Sequence, residues 1–172
     1  DHDYVKNTFE INVFKSILEK LVLSQEFKIG SLNSIKVSES QRSVIPISAR
    51  YFMGGSGMSY GEMLRGYREN SIGPYDFRPR GGNLMLKYSL ELRWSFSNEP
   101  TVYGFIFADM GNVWSDYDII KLTDLKRSAG IGIRLFMPML GTLGYDIGYG
   151  FDDTIFGPGQ PHGWEHHFIF GM

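Results

Sequence analysis

The amino-acid sequence predicts an all-β fold: about seven strands of an antiparallel transmembrane β-barrel carrying a long inserted loop. Three observations lead there. Apolar and polar residues alternate with period two in segment after segment, while helical periodicity is nearly absent. The clearest segment, Leu84 to Phe96, is far longer than the about 5–6 residues usual for a globular strand. Short and long connections alternate along the chain, as in barrels with short turns on one side of a membrane and long loops on the other.

The segments follow in order. From Val5 to Val13, Val5, Phe9, Ile11 and Val13 alternate with Lys6, Thr8, Glu10 and Asn12. After a break near Glu19-Lys20, Leu21, Leu23, Phe27 and Ile29 alternate with Ser24, Glu26, Lys28 and Gly30. In the third, Leu84, Leu86, Tyr88, Leu90, Leu92, Trp94 and Phe96 share one face; Met85, Lys87, Ser89, Glu91, Arg93 and Ser95 share the other. Thr101 to Asn112 is apolar on both faces until Asp109. Ser128 to Met137 and Thr142 to Phe151 set large apolar side chains against Gly, Ser, Arg and Asp. The last run, from Trp164 to Met172, puts Trp164, His166, Phe168 and Phe170 on one face. Short connections fall at Ser16–Lys20, Ser97–Pro100 and Pro138–Gly141; long ones run over 32–82, 113–126 and 152–163.

Composition bounds the function. With 172 residues the chain has room for one domain, and 42% hydrophobic against 21% charged residues fits a folded one. Cysteine is absent, which excludes a disulfide framework, a thiolate metal site and a Cys nucleophile. A net charge of -2 argues against nucleic-acid binding through a basic surface. No run of apolar residues is long enough for a transmembrane helix, but a barrel strand needs only alternation. The polar face is rich in Gly, Ser and charged residues; the apolar face carries Tyr and Trp near strand ends, where a bilayer's headgroups would lie. A soluble sandwich would turn the apolar face inward instead, so the sequence leaves that alternative standing.

A connection as long as 32–82 is seldom idle. It is rich in Gly and aromatic residues, and it contains Arg50-Tyr51-Phe52-Met53-Gly54-Gly55, Leu64-Arg65-Gly66-Tyr67 and Ile72-Gly73-Pro74. This run resembles the sixth extracellular loop of the BamA family, the bacterial surface-antigen barrels. The family's loop motif is an aliphatic residue, Arg, Gly, then Phe or Tyr, and Leu64, Arg65, Gly66 and Tyr67 match it throughout. Gly81-Gly82-Asn83, Phe107 to Trp114 and Ser128-Ala129-Gly130-Ile131-Gly132 are similar to later family blocks and stand in the same order.

The resemblance implies much more than the pattern does. It implies the last seven strands of a sixteen-stranded barrel, so that residues 1–172 are a fragment whose earlier strands and periplasmic POTRA modules lie elsewhere. Family members end on an aromatic residue after a terminal strand; this chain stops at Phe170-Gly171-Met172, short of it. The loop would fold back into the barrel and set Arg65 against wall carboxylates, which by position are Glu91 and Asp109. A guanidinium can engage carboxylates bidentately, and a carboxylate away from water needs such a partner. If Asp109 faces inward, so do Phe107, Phe105 and Tyr103, and Ile106 and Ala108 face lipid. The implied function is folding and insertion of β-barrel proteins in the bacterial outer membrane through a lateral seam, whose terminal strand carries Trp164, Phe168 and Phe170. The implied partners are outer-membrane lipid, unfolded outer-membrane protein clients, and periplasmic or lipoprotein accessory subunits. No cofactor, metal, nucleic acid or enzymatic step is expected. A transporter of the same superfamily that exports one large protein, and a plain porin or adhesin, are the alternatives.

Two weaker motifs and a set of glycines carry less. Gly57-Met58-Ser59-Tyr60-Gly61 matches G-x-S-x-G, but a nucleophile elbow needs a strand before it, a helix after it and a parallel sheet. Adjacent His166 and His167 point to opposite faces of a strand and would not share an ion. Gly144, Gly148 and Gly150 either admit the backbone of a tucked loop or ease the curvature of the wall.

Overall fold

The structure, a computed structural model, describes residues 3–38, 41–42, 45–57, 61–75, 80–139 and 141–171. Its strands are β1 (Tyr4–Leu18), β2 (Leu21–Ser34), β3 (Lys36–Ser38), β4 (Gln41–Arg42), β5 (Leu84–Asn98), β6 (Thr101–Trp114), β7 (Lys126–Met137), β8 (Gly141–Gly150) and β9 (Gly163–Gly171). Seven of them form one antiparallel sheet in the order β1-β2-β5-β6-β7-β8-β9, while β3 and β4 pair as a separate short hairpin. Each large strand thus lies beside its neighbour in sequence, an up-and-down meander. Among the described residues the sheet does not close, and β1 and β9 are its edges.

The strands run further than alternation suggests. β1 continues to Leu18 and leaves only Glu19-Lys20 as a turn; β5 continues to Asn98 and leaves only Glu99-Pro100. β2 continues to Ser34, so the long connection starts later than Leu32, which is a buried wall residue. These ends were hidden because the alternation falters there: Phe14 and Leu18 share the parity of Lys6 and Glu10. Ladder hydrogen bonds need no alternation, so pairing carries on past the point where the pattern fades.

The two faces of the sheet differ in kind. Phe9, Ile11, Trp94, Phe96, Ile106, Ile131, Ile133, Trp164, Phe168 and Phe170 stand exposed on one face. The buried set on the other includes Lys87, Ser89, Asp109, Arg134, Asp146 and His167. A protein dissolved in water would bury the first set and expose the second. This inversion removes the soluble-sandwich alternative: the apolar face is built for hydrocarbon and the polar face lines a lumen. Asp109, Phe107 and Phe105 are buried on the lumen side, while Ile106 on the opposite face is 57% exposed.

The long connection is folded, not slack. Tyr51 and Gly82 exchange backbone hydrogen bonds at 3.0 and 2.8 Å, which closes its neck. Inside, Met53 bridges to both Glu62 and Ile72, and Gly55 to Leu64. Ala49, Tyr51, Met53, Leu64, Tyr67 and Ile72 from the loop pack with Leu32, Met85 and Val113 from the wall into a small apolar core. This explains the apolar residues that break the inward-polar rule at Leu32 and Met85: each lies beneath the loop.

Candidate functional site

The site forms where this folded loop meets the lumen wall. Arg65 is only 2% exposed. Its Nε donates to Asp109 Oδ2 at 2.7 Å and its Nη2 to Asp109 Oδ1 at 2.8 Å, a two-pronged grip. Nη1 donates to Glu91 Oε1 at 2.6 Å, and Nη2 also donates to Ser89 Oγ at 3.0 Å. Ser89 in turn donates to Asp109. The guanidinium carbon lies 3.8 Å from the centre of the Phe107 ring, so the cation has a π face on one side and carboxylates at its rim. Burial alone would push the guanidinium's pKa down; Asp109, Glu91 and Asp146 outweigh it and drive the value up. The charge at Arg65 is therefore permanent.

The clamp is one half of a larger cluster. Arg134 grips Asp146 with both terminal nitrogens, and Asp146 lies 3.9 Å from Arg65. Arg93 donates to the second oxygen of Glu91 at 2.7 Å. The Phe105 ring sits between Arg65 and Arg134, at 5.4 and 4.8 Å. Three guanidiniums (Arg65, Arg134 and the partly exposed Arg93) thus face three carboxylates (Glu91, Asp109, Asp146), and the formal charge of the cluster balances. Such balance is what makes burial of ions tolerable.

The rest of the motif has distinct tasks. Leu64 fills the loop core. Gly66 has φ +82, a left-handed conformation open mainly to glycine, and its backbone lies flat on the wall glycines. A Cβ on Gly148 would come within 2.7 Å of Gly66 N, and one on Gly150 within 2.6 Å of Gly66 O. The glycines of β8 therefore do different things: Gly148 and Gly150 admit the loop backbone, whereas Gly144 makes room for the Arg134 guanidinium. Tyr67 is fully buried; its hydroxyl donates to the Arg127 carbonyl at 2.6 Å and accepts the Asp152 N–H at 3.3 Å. Burial pushes its phenol well above the ordinary value.

The structure brings Leu64, Arg65, Gly66, Tyr67, Glu91 and Asp109 together. Trp164, Phe168 and Phe170 stand apart from them, on the outer face of β9. They point away from the lumen rather than along the strand's free backbone edge, so they flank that edge without forming its hydrogen-bonding rim. Met58, Ser59 and Tyr60 of the G-x-S-x-G match, and Met172, lie outside the described residues. Sequence reading missed Glu62 in the loop, and it missed the contacts of Ser89, Arg134, Asp146 and the lumen-facing His167. The inward parity of the four strand residues was visible, but their contacts depend on strand register and on the path of the loop.

The Omp85 superfamily domain matches residues 1–172, the entire chain. The chain belongs to the Omp85 superfamily. Among solved structures, this Omp85 sheet is similar to the crystal structure of BamA from Haemophilus ducreyi lacking POTRA domains 1-3. The TM-score is 0.71 at 21% identity, over 98% of this chain and 36% of that one. The likeness establishes the fold, and the chain spans about a third of the length of that structure. No curated protein matches the sequence. In Omp85 terms, the seated loop and its Arg65 clamp are the most elaborate polar construction among the described residues, which makes them the candidate site.

Proposed function

We propose that this chain is the C-terminal part of an outer-membrane barrel that folds and inserts other β-barrel proteins. One observation carries the reading: the Leu64-Arg65-Gly66-Tyr67 turn is locked onto the lumen wall by a buried, charge-balanced clamp. A folded loop sealed against the inner wall by buried ions fills part of the lumen, which suits a barrel that works at a strand edge better than an open water-filled pore. An assembly factor needs a barrel that holds its shape while one strand edge is offered to a client. β9 supplies such an edge, since β8 is its sole partner among the described residues. A client strand would add to it by backbone hydrogen bonding, in the manner of β-augmentation. The reading involves no chemical step. Its partners are membrane lipid, unfolded barrel clients, and accessory subunits on the periplasmic side.

The test uses the full-length protein in liposomes of bacterial lipids. An unfolded outer-membrane barrel is added, and its insertion is followed by heat-modifiable migration and protease protection. Faster insertion than into empty liposomes is the expected result. Steady small-solute conductance with no gain in insertion would point to a porin. Protease-protected export of one large soluble protein would point to a secretion transporter.

A further inference from the structure

The loop is fastened to β9 as well as to the β5–β6 wall, and the second fastening has a different chemistry. Gly66 N donates to His167 Nε2 at 2.9 Å, in a buried setting. A backbone amide can only donate, so Nε2 must carry a lone pair and the ring must be neutral. Two neighbouring contacts reinforce the junction. Arg68 Nε donates to Glu165 Oε1 at 3.0 Å, and Tyr67 packs on the His162 ring with centroids 5.4 Å apart. Residues 66 to 68 thus touch β9 and its approach at three successive positions.

We propose that His167 is a positioning residue that latches the loop turn to the terminal strand of the sheet, and that protonating its ring opens the latch. A proton on Nε2 would set an N–H against the Gly66 N–H, replacing attraction with repulsion. The charged and titratable groups around the ring come from every side of it. They are Asp146 on β8, Glu165 on β9 itself, Arg65 and Glu69 on the loop, and Arg134 of β7 through its grip on Asp146. His162, bonded to Glu165, lies at the entry to β9. The carboxylates favour a charged ring and the arginines oppose it, while the hydrogen bond itself exists with the neutral ring alone. Arg65 keeps its charge throughout, so acid would release the β9 side of the loop and leave the Arg65 side fastened. This concerns the seating of the loop and stands whether or not the protein inserts clients.

Hydrogen–deuterium exchange on the full-length protein in lipid nanodiscs tests it, with peptides covering 61–75 and 163–171. Rates are corrected for intrinsic pH dependence and compared between about pH 8 and about pH 5, which spans the histidine range. His167→Gln keeps an acceptor oxygen at the same bond distance from the backbone and removes the titration. His167→Leu removes the acceptor. In the wild type, exchange in both peptides should rise roughly two- to tenfold on acidification, the scale of one lost hydrogen bond. His167→Gln should match the wild type at high pH and stay protected at low pH. His167→Leu should exchange fast at both. Wild-type protection that ignores pH, or His167→Leu protection equal to wild type, would overturn the proposal. Heat-modifiable migration checks that each variant is folded.

Discussion

At the scale of single residues, Arg65 concentrates the largest stake. Removing one partner of a buried ion pair strands the others, at a cost of about 3–5 kcal/mol. Arg65→Ala should therefore lower the unfolding free energy of the full-length protein, read from denaturant titration, by an amount of that order. Arg65→Lys should recover only part, since an ammonium cannot grip Asp109 with two parallel bonds while reaching Glu91. A variant as stable as the wild type would show that the clamp contributes nothing to the fold. Gly66→Ala tests the neighbouring position. The left-handed backbone costs about 1–2 kcal/mol for a residue with a Cβ, and that Cβ would lie 3.0 Å from the Tyr149 carbonyl carbon. The expected outcome is greater proteolytic sensitivity of the loop with the strands intact. At Tyr67, losing the hydroxyl would leave the Arg127 carbonyl paired, since it also accepts the Phe151 N–H at 2.9 Å, but would strip the Asp152 N–H of its acceptor. The sequence made part of this readable. Strict alternation in β5 puts Glu91 on the polar face, and following Asp109 down β6 turns Phe105 and Phe107 inward with it. Asp146 and His167 were legible as inward-facing but not as partners of the loop. Asp146 stands diagonally across from Arg134, whose register partner is Gly144, and register is not written in periodicity.

At the scale of elements, the outer connections can be distinguished by what holds them. The connection from β8 to β9 leaves the wall through Asp152 and Asp153. Burial alone would push the Asp152 carboxyl up, but the Arg127 side chain and backbone N–H hold it below the ordinary range. The Gly159 N–H, and then Lys126, hold Asp153 low as well. A carboxyl whose folded value is depressed stabilises fully above its unfolded value near about 3.9 and loses that contribution as pH falls through the folded one. Protease sites within 151–162 should accordingly stay resistant at neutral pH and open below about pH 4. Equal resistance at both would mean that these carboxylates do not hold the connection. The strands themselves were easy to place because alternation over a long segment has few competing explanations. Their ends were not, since β1 and β5 run on through residues that no longer alternate. The loop's interior was the least legible part: its core of Tyr51, Met53, Leu64 and Ile72 follows neither period two nor period 3.6, and only tertiary contacts define it.

At the scale of the whole molecule, the inverted faces make a prediction about tryptophan. Trp94 and Trp164 stand on the outer face, at 49% and 66% exposure, while Trp114 is buried at 4%. In single-tryptophan versions of the full-length protein in brominated lipid, Trp94 and Trp164 should be quenched and Trp114 should not. Trp94 and Trp164 both escaping the quencher would reverse the assignment of faces; Trp114 shares the outer face by register, opposite Leu84, and is shielded only because it is covered. That assignment was the one global property the sequence left between two answers, because alternation is symmetrical under exchange of inside and outside. Burial broke the tie: Lys87, Arg134 and Asp146 are covered, and Phe168 is 71% open.

The loop also reaches the opposite edge of the sheet. The Tyr51 hydroxyl donates to the Asn7 carbonyl of β1 at 2.8 Å, and Glu62 accepts from Lys28 of β2 at 2.9 Å. One folded segment is therefore tied to both margins of a seven-stranded arc, like the string of a bow. A string sets the span between the tips, and the span sets how sharply the stave bends. The curvature of this wall is then braced by the folded body of the loop, in which Met53 bridges Glu62 and Gly55 bridges Leu64, and not by the strands alone. Breaking those bridges would slacken the string and let the arc flatten, with every ladder hydrogen bond of the strands still in place.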